Sequence, residues 1–434
     1  MRELIESLPG HAPPDVEREA DRTPALLSPP DDDDFIRPAA EEELLEERGA
    51  GGLTSGRGSS LAKHLLWTFG PDHRALPFPL QLRTELEGDR VVNCDVEIGW
   101  LHQGLEKALE EATFEDALAV IERLQPQNAL GHQLAWLLLL ERMCGIDHLV
   151  PRRAQLWRVV MCELSRMLEH LRVLRGLVML HAGRPAQRSL TRAEAALEAL
   201  LPSVSFDDTG VLRACVGGLR EPLPVSVAET LRREVPAMLA PLWKVTELQL
   251  RLPSSLDALQ GLGALDGRLA GALGFSGPAL KACGADEDIR RSAPYFAYDE
   301  LSLRVPVENA GDARARFRVR LEELSVSAEL IESALRLLDD AAPEVRVEAS
   351  AIPRNEEGQL RPPAGMATAS VELAGGEFSL LVVSDGGPRP RRARLRTPSF
   401  PLAAALGRLL KGARLDEVEQ IITSLGLIGP EIDR

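Results

Sequence analysis

Aromatic residues make up only 4% of this 434-residue chain, and both of its tyrosines, Tyr295 and Tyr298, fall in one short charged stretch, residues 274–301. Cysteine is also sparse. Cys94, Cys144, Cys162, Cys215 and Cys283 are scattered with no Cys-x-x-Cys pair. An odd, dispersed set argues against a disulfide frame and fits buried thiols in a reducing compartment. The longest apolar run, LAWLLLL, is far short of the roughly 20 residues that cross a bilayer. The opening MRELIESLPG lacks the basic and apolar regions of a secretory signal, so a cytoplasmic protein is expected. There is no Walker loop, GxSxG, HExxH or EF-hand, and the glycines near Gly261 lack a strand-turn-helix setting for a dinucleotide. The histidines do not pair at metal spacing, and His170, beside Glu169 and Arg172 on a helix, reads as a packing or surface residue. With 66 acidic against 50 basic residues, the net charge of −16 argues against non-specific nucleic-acid binding and gives no attraction to anionic lipid.

What remains is an apolar content of 44%, enough for a substantial core, and an Ala-, Leu- and Arg-rich composition that favours helix. Residues 1–60 are rich in Pro, Gly, Ser and acid without an apolar period, and read as a disordered tail, either a solubilising extension or an acidic peptide for a partner. Order is expected from Leu65. A β-unit spans about residues 65–100, because apolar and polar residues alternate on both sides of a Glu87-Gly88-Asp89 turn. From about 101 to 300 the period is helical. A helix opening at Pro151 stripes Leu156, Val160, Leu164, Met167, Leu171 and Leu174 along one face, and LGHQLAWLLLLERMCGI, apolar nearly all round, is expected at the centre. Over residues 301–434 a strand at 301–307, a long helix, a second hairpin turning at Asp385-Gly386-Gly387 and a final helix are expected. The fold class is therefore α+β, a central helical bundle flanked by two antiparallel β-units. In the second hairpin Arg392, Arg394 and Arg396 share one strand face opposite Ala393 and Leu395, which reads as a solvated face or as a docking surface for an acidic partner.

Nine short blocks follow in order: FGPDHRALPF, IGWLHQGLEK, ELSRMLEHL, GGLREPLP, GFSGPALKACGADEDIRRSAPYFAYDEL, VPVENAGDARARFRVRLEEL, LVVSDGG, RLRTPSF and GPEIDR. Together they resemble the D subunit of the NADH:quinone oxidoreductase (respiratory complex I), the family related to the large subunit of nickel-iron hydrogenases. The resemblance covers about residues 69–434. It implies a hydrogenase-large-subunit-like fold peripheral on the cytoplasmic face of the membrane. It also implies an iron-sulfur partner subunit, a membrane arm, a quinone site at the interface and no redox centre in this chain. Within it, the tyrosine-bearing stretch with Asp288 and Arg290 belongs to the scaffold; Tyr295 and Tyr298 can bury their rings while their hydroxyls hold neighbouring charges.

The resemblance breaks at the chemistry. Of the two histidines in the family's first hairpin loop, His73 remains, and Pro77 stands where the family has the quinone-ligating one. Pro126 stands where the family has a ligating tyrosine, and Leu180 (or, with a one-residue slip, His181) where it has the acid that partners the histidine. The quinone-pocket positions are thus His73, Pro77, Pro126 and Leu180, and the prolines and leucine offer no proton or hydrogen bond. The cysteines lack the paired thiolates that nickel would need, so no metal is expected. Three functions follow: a D-subunit-like component shaping a quinone site, a paralogue that keeps the scaffold without quinone chemistry as a scaffold or assembly subunit, or a pocket remodelled for a different small ligand.

Overall fold

The computed structural model describes residues 63–70, 73, 76–181, 184–251 and 257–434, so the expected tail at 1–60 lies outside the described residues. The chain is α+β. Strands β1 (Lys63–Phe69), β2 (Leu80–Glu87) and β3 (Arg90–Glu97) form an antiparallel sheet in that order. The hairpin expected from alternation is β2–β3, closed by Gly88 in a left-handed conformation and its neighbour Asp89. The additional strand, β1, pairs Lys63 with Leu86 through Phe69 with Leu80.

Helices follow: α1 (Leu105–Glu111), α2 (Ala117–Glu122), α3 (Leu130–Cys144), α4 (Arg152–His181), α5 (Arg184–Ser205) and, after the small ladder of β4 (Ala214–Cys215) and β5 (Gly218–Leu219), α6 (Val225–Arg251). Helix α3 is central, as its all-round apolarity predicts: every residue from Leu130 to Glu141 is buried. Helix α4 starts just after Pro151, whose missing N–H costs nothing at a helix start, and runs for 30 residues, about 45 Å. Short helices α7 (Gly267–Ala272), α8 (Gly277–Lys281) and α9 (Ile289–Ser292) carry the tyrosine-bearing stretch to the long helix α10 (Ala313–Asp339), which packs along α4.

Three expectations need correction. Residues 301–307 form no strand. Leu301, Leu303 and Val305 do alternate with exposed Ser302 and Arg304, but the segment lies extended on the core without a ladder partner, so its period reports burial alone. The C-terminal β-unit has three strands, β6 (Gly365–Leu373), β7 (Gly376–Ser384) and β8 (Arg392–Arg396), because Ala374 and Gly375 make a second tight turn before the one at Asp385. The final helix is four, α11 (Ser399–Ala404), α12 (Leu406–Leu409), α13 (Leu415–Leu425) and α14 (Gly429–Ile432), interrupted by glycines 412 and 426 in left-handed conformation.

Two large apolar clusters result among the described residues. One gathers α3, α4, α10 and the inner face of β6–β8; the other gathers β1–β3 with α11–α13. The C-terminus ties them together. Asp433 accepts from the backbone N–H of Gly99 (2.6 Å) and Leu101 (2.8 Å), Arg434 Nε donates to the Leu395 carbonyl, and Glu431 meets His132 of α3 at 2.9 Å. The IGWLHQG and GPEIDR blocks are thus two sides of one contact.

Candidate functional site

The Gly-Phe-Ser-Gly-Pro turn exists because two backbones touch. A Cβ on Gly277 would lie 2.4 Å from the Gly376 Cα, and Ser276 Oγ accepts from the Glu377 N–H at 3.0 Å. That contact seats α8 against the β6–β7 turn and delivers Lys281 into the interior.

Around Lys281 lies a buried network of four carboxylates, Glu163, Asp288, Glu323 and Glu372, with three cations, Arg166, Lys281 and Arg290. Arg290 grips Asp288 in a fork (2.9 and 2.7 Å) and reaches Glu163 (3.0 Å) and Glu323 (3.1 Å). Lys281 Nζ lies 2.5 Å from Asp288, 2.8 Å from Glu323 and 3.4 Å from Glu372. Arg166 donates to Glu323 (2.5 Å) and to the carbonyls of Glu372 and Leu373. Tyr298 and Ser327 each donate to Glu163 at 2.6 Å, and the Tyr295 hydroxyl accepts from the Glu372 N–H at 3.0 Å. The two tyrosine rings meet edge to face, centroids 4.9 Å apart. Both of the chain's tyrosines therefore serve one purpose: large buried rings with a polar end inside a charged core.

Geometry sorts the carboxylates. Burial resists ionisation of all of them, but Arg290 and Arg166 hold Glu163 below the usual carboxylate range, and Lys281 with both arginines holds Glu323 well below it. Asp288 is likewise held low by Arg290 and Lys281. Glu372 goes the other way. Burial and the neighbouring Asp288 push its carboxyl up, and its closest donors, Lys281 and the Ile289 N–H, are both at 3.4 Å. The network is a structural unit: every ionised member has strong partners, as burial of charge requires.

The four positions singled out from the sequence lie elsewhere. His73 is half-buried before β2, its Nδ1 accepting from the Leu76 N–H (3.0 Å) and its Nε2 3.4 Å from Glu419 of α13. Pro77 is exposed. Pro126 is exposed on a cleft of about 360 Å³ whose walls include Asn128, Leu168, Arg172, Glu198 and Phe206. Leu180 is partly buried near the end of α4. The cleft's lining includes neither His73, Pro77 nor Leu180. Behind the cleft, Asn128 and Arg172 both donate to Glu169 (3.0 and 2.6 Å), whose carboxyl burial pushes up.

His170 is fully buried and held well below the ordinary imidazole range, first by burial and then by Arg166; its Nδ1 lies 3.4 Å from Arg320. The thiols of Cys94, Cys144 and Cys162 are pushed up to about 11, 11 and 12 by burial, inert rather than nucleophilic. Among the described residues no group of three or more His, Cys, Asp or Glu could hold a metal, and no helix is long and apolar enough to cross a membrane. The arginine face of β8 is exposed, but Arg392 and Arg394 pair with Glu110 and Glu106 of α1, and Arg396 with Glu377. These pairs hold the face to its own chain while the guanidinium groups stay exposed.

Glu163, Lys281, Glu323 and Glu372 escaped the sequence reading. The available signal was on α4, where Glu163, Arg166 and His170 recur at helical spacing beside the apolar stripe.

The family described as respiratory-chain NADH dehydrogenase, 49 Kd subunit, matches residues 212–434. The chain is 30% identical over 393 residues to the NADH-quinone oxidoreductase D subunit of Myxococcus xanthus, covering 86% of this chain and 93% of that one. It is 31% identical over 382 residues to the second D subunit of Salinispora arenicola, covering 88% and 97%. Among solved structures it is similar to a chain of the membrane-bound sulfane sulfur reductase, an archaeal respiratory membrane complex. There the TM-score is 0.78 with 29% identity, over 86% of this chain and 98% of that one.

Proposed function

The chain belongs to the family of NADH-quinone oxidoreductase D subunits, and from that premise we propose that it takes the D-subunit position in a complex I-type respiratory assembly. In that position it is peripheral on the cytoplasmic face, packs beside an iron-sulfur subunit, reaches a membrane arm through protein contacts and lines the quinone pocket without holding a redox centre. The observation that carries this reading is the end-to-end match: a relative built as part of a respiratory membrane complex is covered over 98% of its length. The buried network and the C-terminal tie hold the scaffold together.

A second reading, a scaffold subunit that has given up quinone chemistry, is favoured by Pro77, Pro126 and Leu180, none of which can donate to a quinone oxygen. Purification of the tagged protein in mild detergent, with identification of co-purifying chains and an inhibitor-controlled NADH:quinone assay, separates the two. Iron-sulfur and membrane subunits arriving with activity support the first. The same subunits without activity support the second, and isolation of the chain alone overturns both. In an active assembly, Pro77→His with Pro126→Tyr is expected to raise quinone affinity or turnover.

A further inference from the structure

The polar groups lining the Pro126 cleft fall into two sets, those already bonded within the protein and those left over. Asn128 is bonded at both ends. It donates to the Ser165 carbonyl and to Glu169 (3.0 Å each) and accepts from Ser165 Oγ at 2.9 Å. Arg172 is held by Glu169 at 2.6 Å and Glu198 at 3.0 Å, which leaves the cleft lining no uncommitted cation.

Gln133 is the exception among the buried groups. It is 7% exposed, lines the cleft from α3, and its side-chain amide makes no hydrogen bond among the described residues. A carboxamide buried to that extent ordinarily finds partners for both its N–H and its C=O. Apart from Asn128, the other buried lining residues are Ala129, Leu130, Leu168 and Leu201, whose side chains offer none. The rim sets the charge. Glu122 is exposed there without an ion pair among the described residues, so an anionic ligand is disfavoured. Pro126, Pro202 and Phe206 add apolar ring surface. The volume of about 360 Å³ falls within the range of small-molecule sites, roughly 300–1,000 Å³.

A primary carboxamide with both ends free is matched by a group that donates and accepts side by side. The N–H and C=O edge of a cyclic amide, a lactam, is such a group. We propose that the cleft is a small-molecule site for an uncharged lactam heterocycle, held by reciprocal hydrogen bonds to the Gln133 amide. The apolar body of the ring is covered by Pro126, Pro202 and Phe206, and no covalent bond is made or broken. Three of the four positions expected at a quinone pocket, His73, Pro77 and Leu180, do not line this cleft. The assignment therefore does not rest on the function proposed above.

The probe is 2-pyridone, titrated into the purified full-length chain and followed by saturation-transfer NMR. Binding in roughly the millimolar range is expected for a ligand of that size. N-methyl-2-pyridone keeps the ring and the C=O but cannot donate, and should bind about tenfold more weakly or worse. Gln133→Leu removes both hydrogen-bonding ends at similar volume. It should weaken 2-pyridone by about tenfold or more, with circular dichroism unchanged. Benzoate, similar in size but negatively charged, should not compete. Failure of 2-pyridone to bind, equal binding of the N-methyl form, or competition by benzoate would each overturn the assignment. Unchanged affinity in folded Gln133→Leu would do the same. The three probes are compared on the wild type alone, so the test stands even where that variant does not fold. None of these outcomes depends on whether partners co-purify or quinone is reduced.

Discussion

Helix α4 passes through two regions built on opposite rules. In its first half, Glu163 and Arg166 belong to a network in which seven charged side chains from α4, α8, α9, α10 and β6 are buried and mutually paired. At its far end sits Leu180, and beside its middle Pro126 lines an open cleft; these two side chains are apolar and make no polar demands on their neighbours. Charge that is buried must be kept complete, because losing one partner strands the rest. An exposed apolar position such as Pro126 carries no such penalty. The difference predicts that substitutions cost far more in the network than at the cleft.

The comparison breaks most visibly at Arg290. Arg290→Met removes the cation that contacts Glu163, Asp288 and Glu323, and is expected to lower unfolding free energy by about 3–5 kcal/mol in a denaturant titration. The effect should depend on pH with a definite sign. The folded carboxyls of Glu163, Asp288 and Glu323 are held below their ordinary values, so their contribution is full above the ordinary carboxyl range near about pH 4 and fades as pH falls through the folded values. The deficit of Arg290→Met should therefore shrink in acid. A deficit that grows below pH 4 would contradict the pairing.

Next is Tyr298→Phe, which takes one 2.6 Å donor from Glu163 and leaves the ring in place. A hydrogen bond to a buried charge is worth about 1.5–3 kcal/mol, and thermal or denaturant midpoints should fall accordingly. A loss below about half a kcal/mol would mean that Ser327 and Arg290 alone satisfy the carboxylate.

How much of this was legible is decided by the range over which each feature acts. The β2–β3 hairpin, the central α3, the α4 stripe and the alternating face of β8 follow from local period, and all stand in the structure. The role of the tyrosines was half legible: their burial could be expected, but not the identity of Glu163, 135 positions away from Tyr298, as partner. Lys281 and Glu372 are 91 positions apart and nothing in either neighbourhood announces the other. The missed strands β1 and β6 are defined by pairing, which local alternation only permits, and residues 301–307 are the reverse case. Of the positions expected at the pocket, the residue types alone were legible; where His73 and Pro126 sit relative to one another depends on tertiary packing that no local pattern encodes.

At the exposed face of β8 the expected effect is smaller. Arg394 is 65% exposed and its partner Glu106 lies 3.5 Å away, so Arg394→Ala should cost between 0 and about 1 kcal/mol and lose even that at high salt. A loss above about 2 kcal/mol would place this face among the buried charges rather than the solvated ones.

The smallest effect on stability is expected where the family resemblance suggested the greatest chemical importance. Pro126 is exposed at a turn after α2, where Asn128 N–H donates to the Gln125 carbonyl across it. Replacing it by tyrosine removes a ring that restricts the unfolded chain, a loss of about 0.4–1 kcal/mol, and adds a side chain with a 360 Å³ cleft to occupy. The two contributions oppose each other, so Pro126→Tyr should unfold within about 1 kcal/mol of the wild type. The measurement is the denaturant midpoint of the purified chain, made beside that of Arg290→Met. If Pro126→Tyr proves as damaging as Arg290→Met, the cleft is part of the scaffold, and its proline was retained for packing. If it is nearly silent, the residue at this position of the cleft is set by what binds there rather than by what holds the protein together.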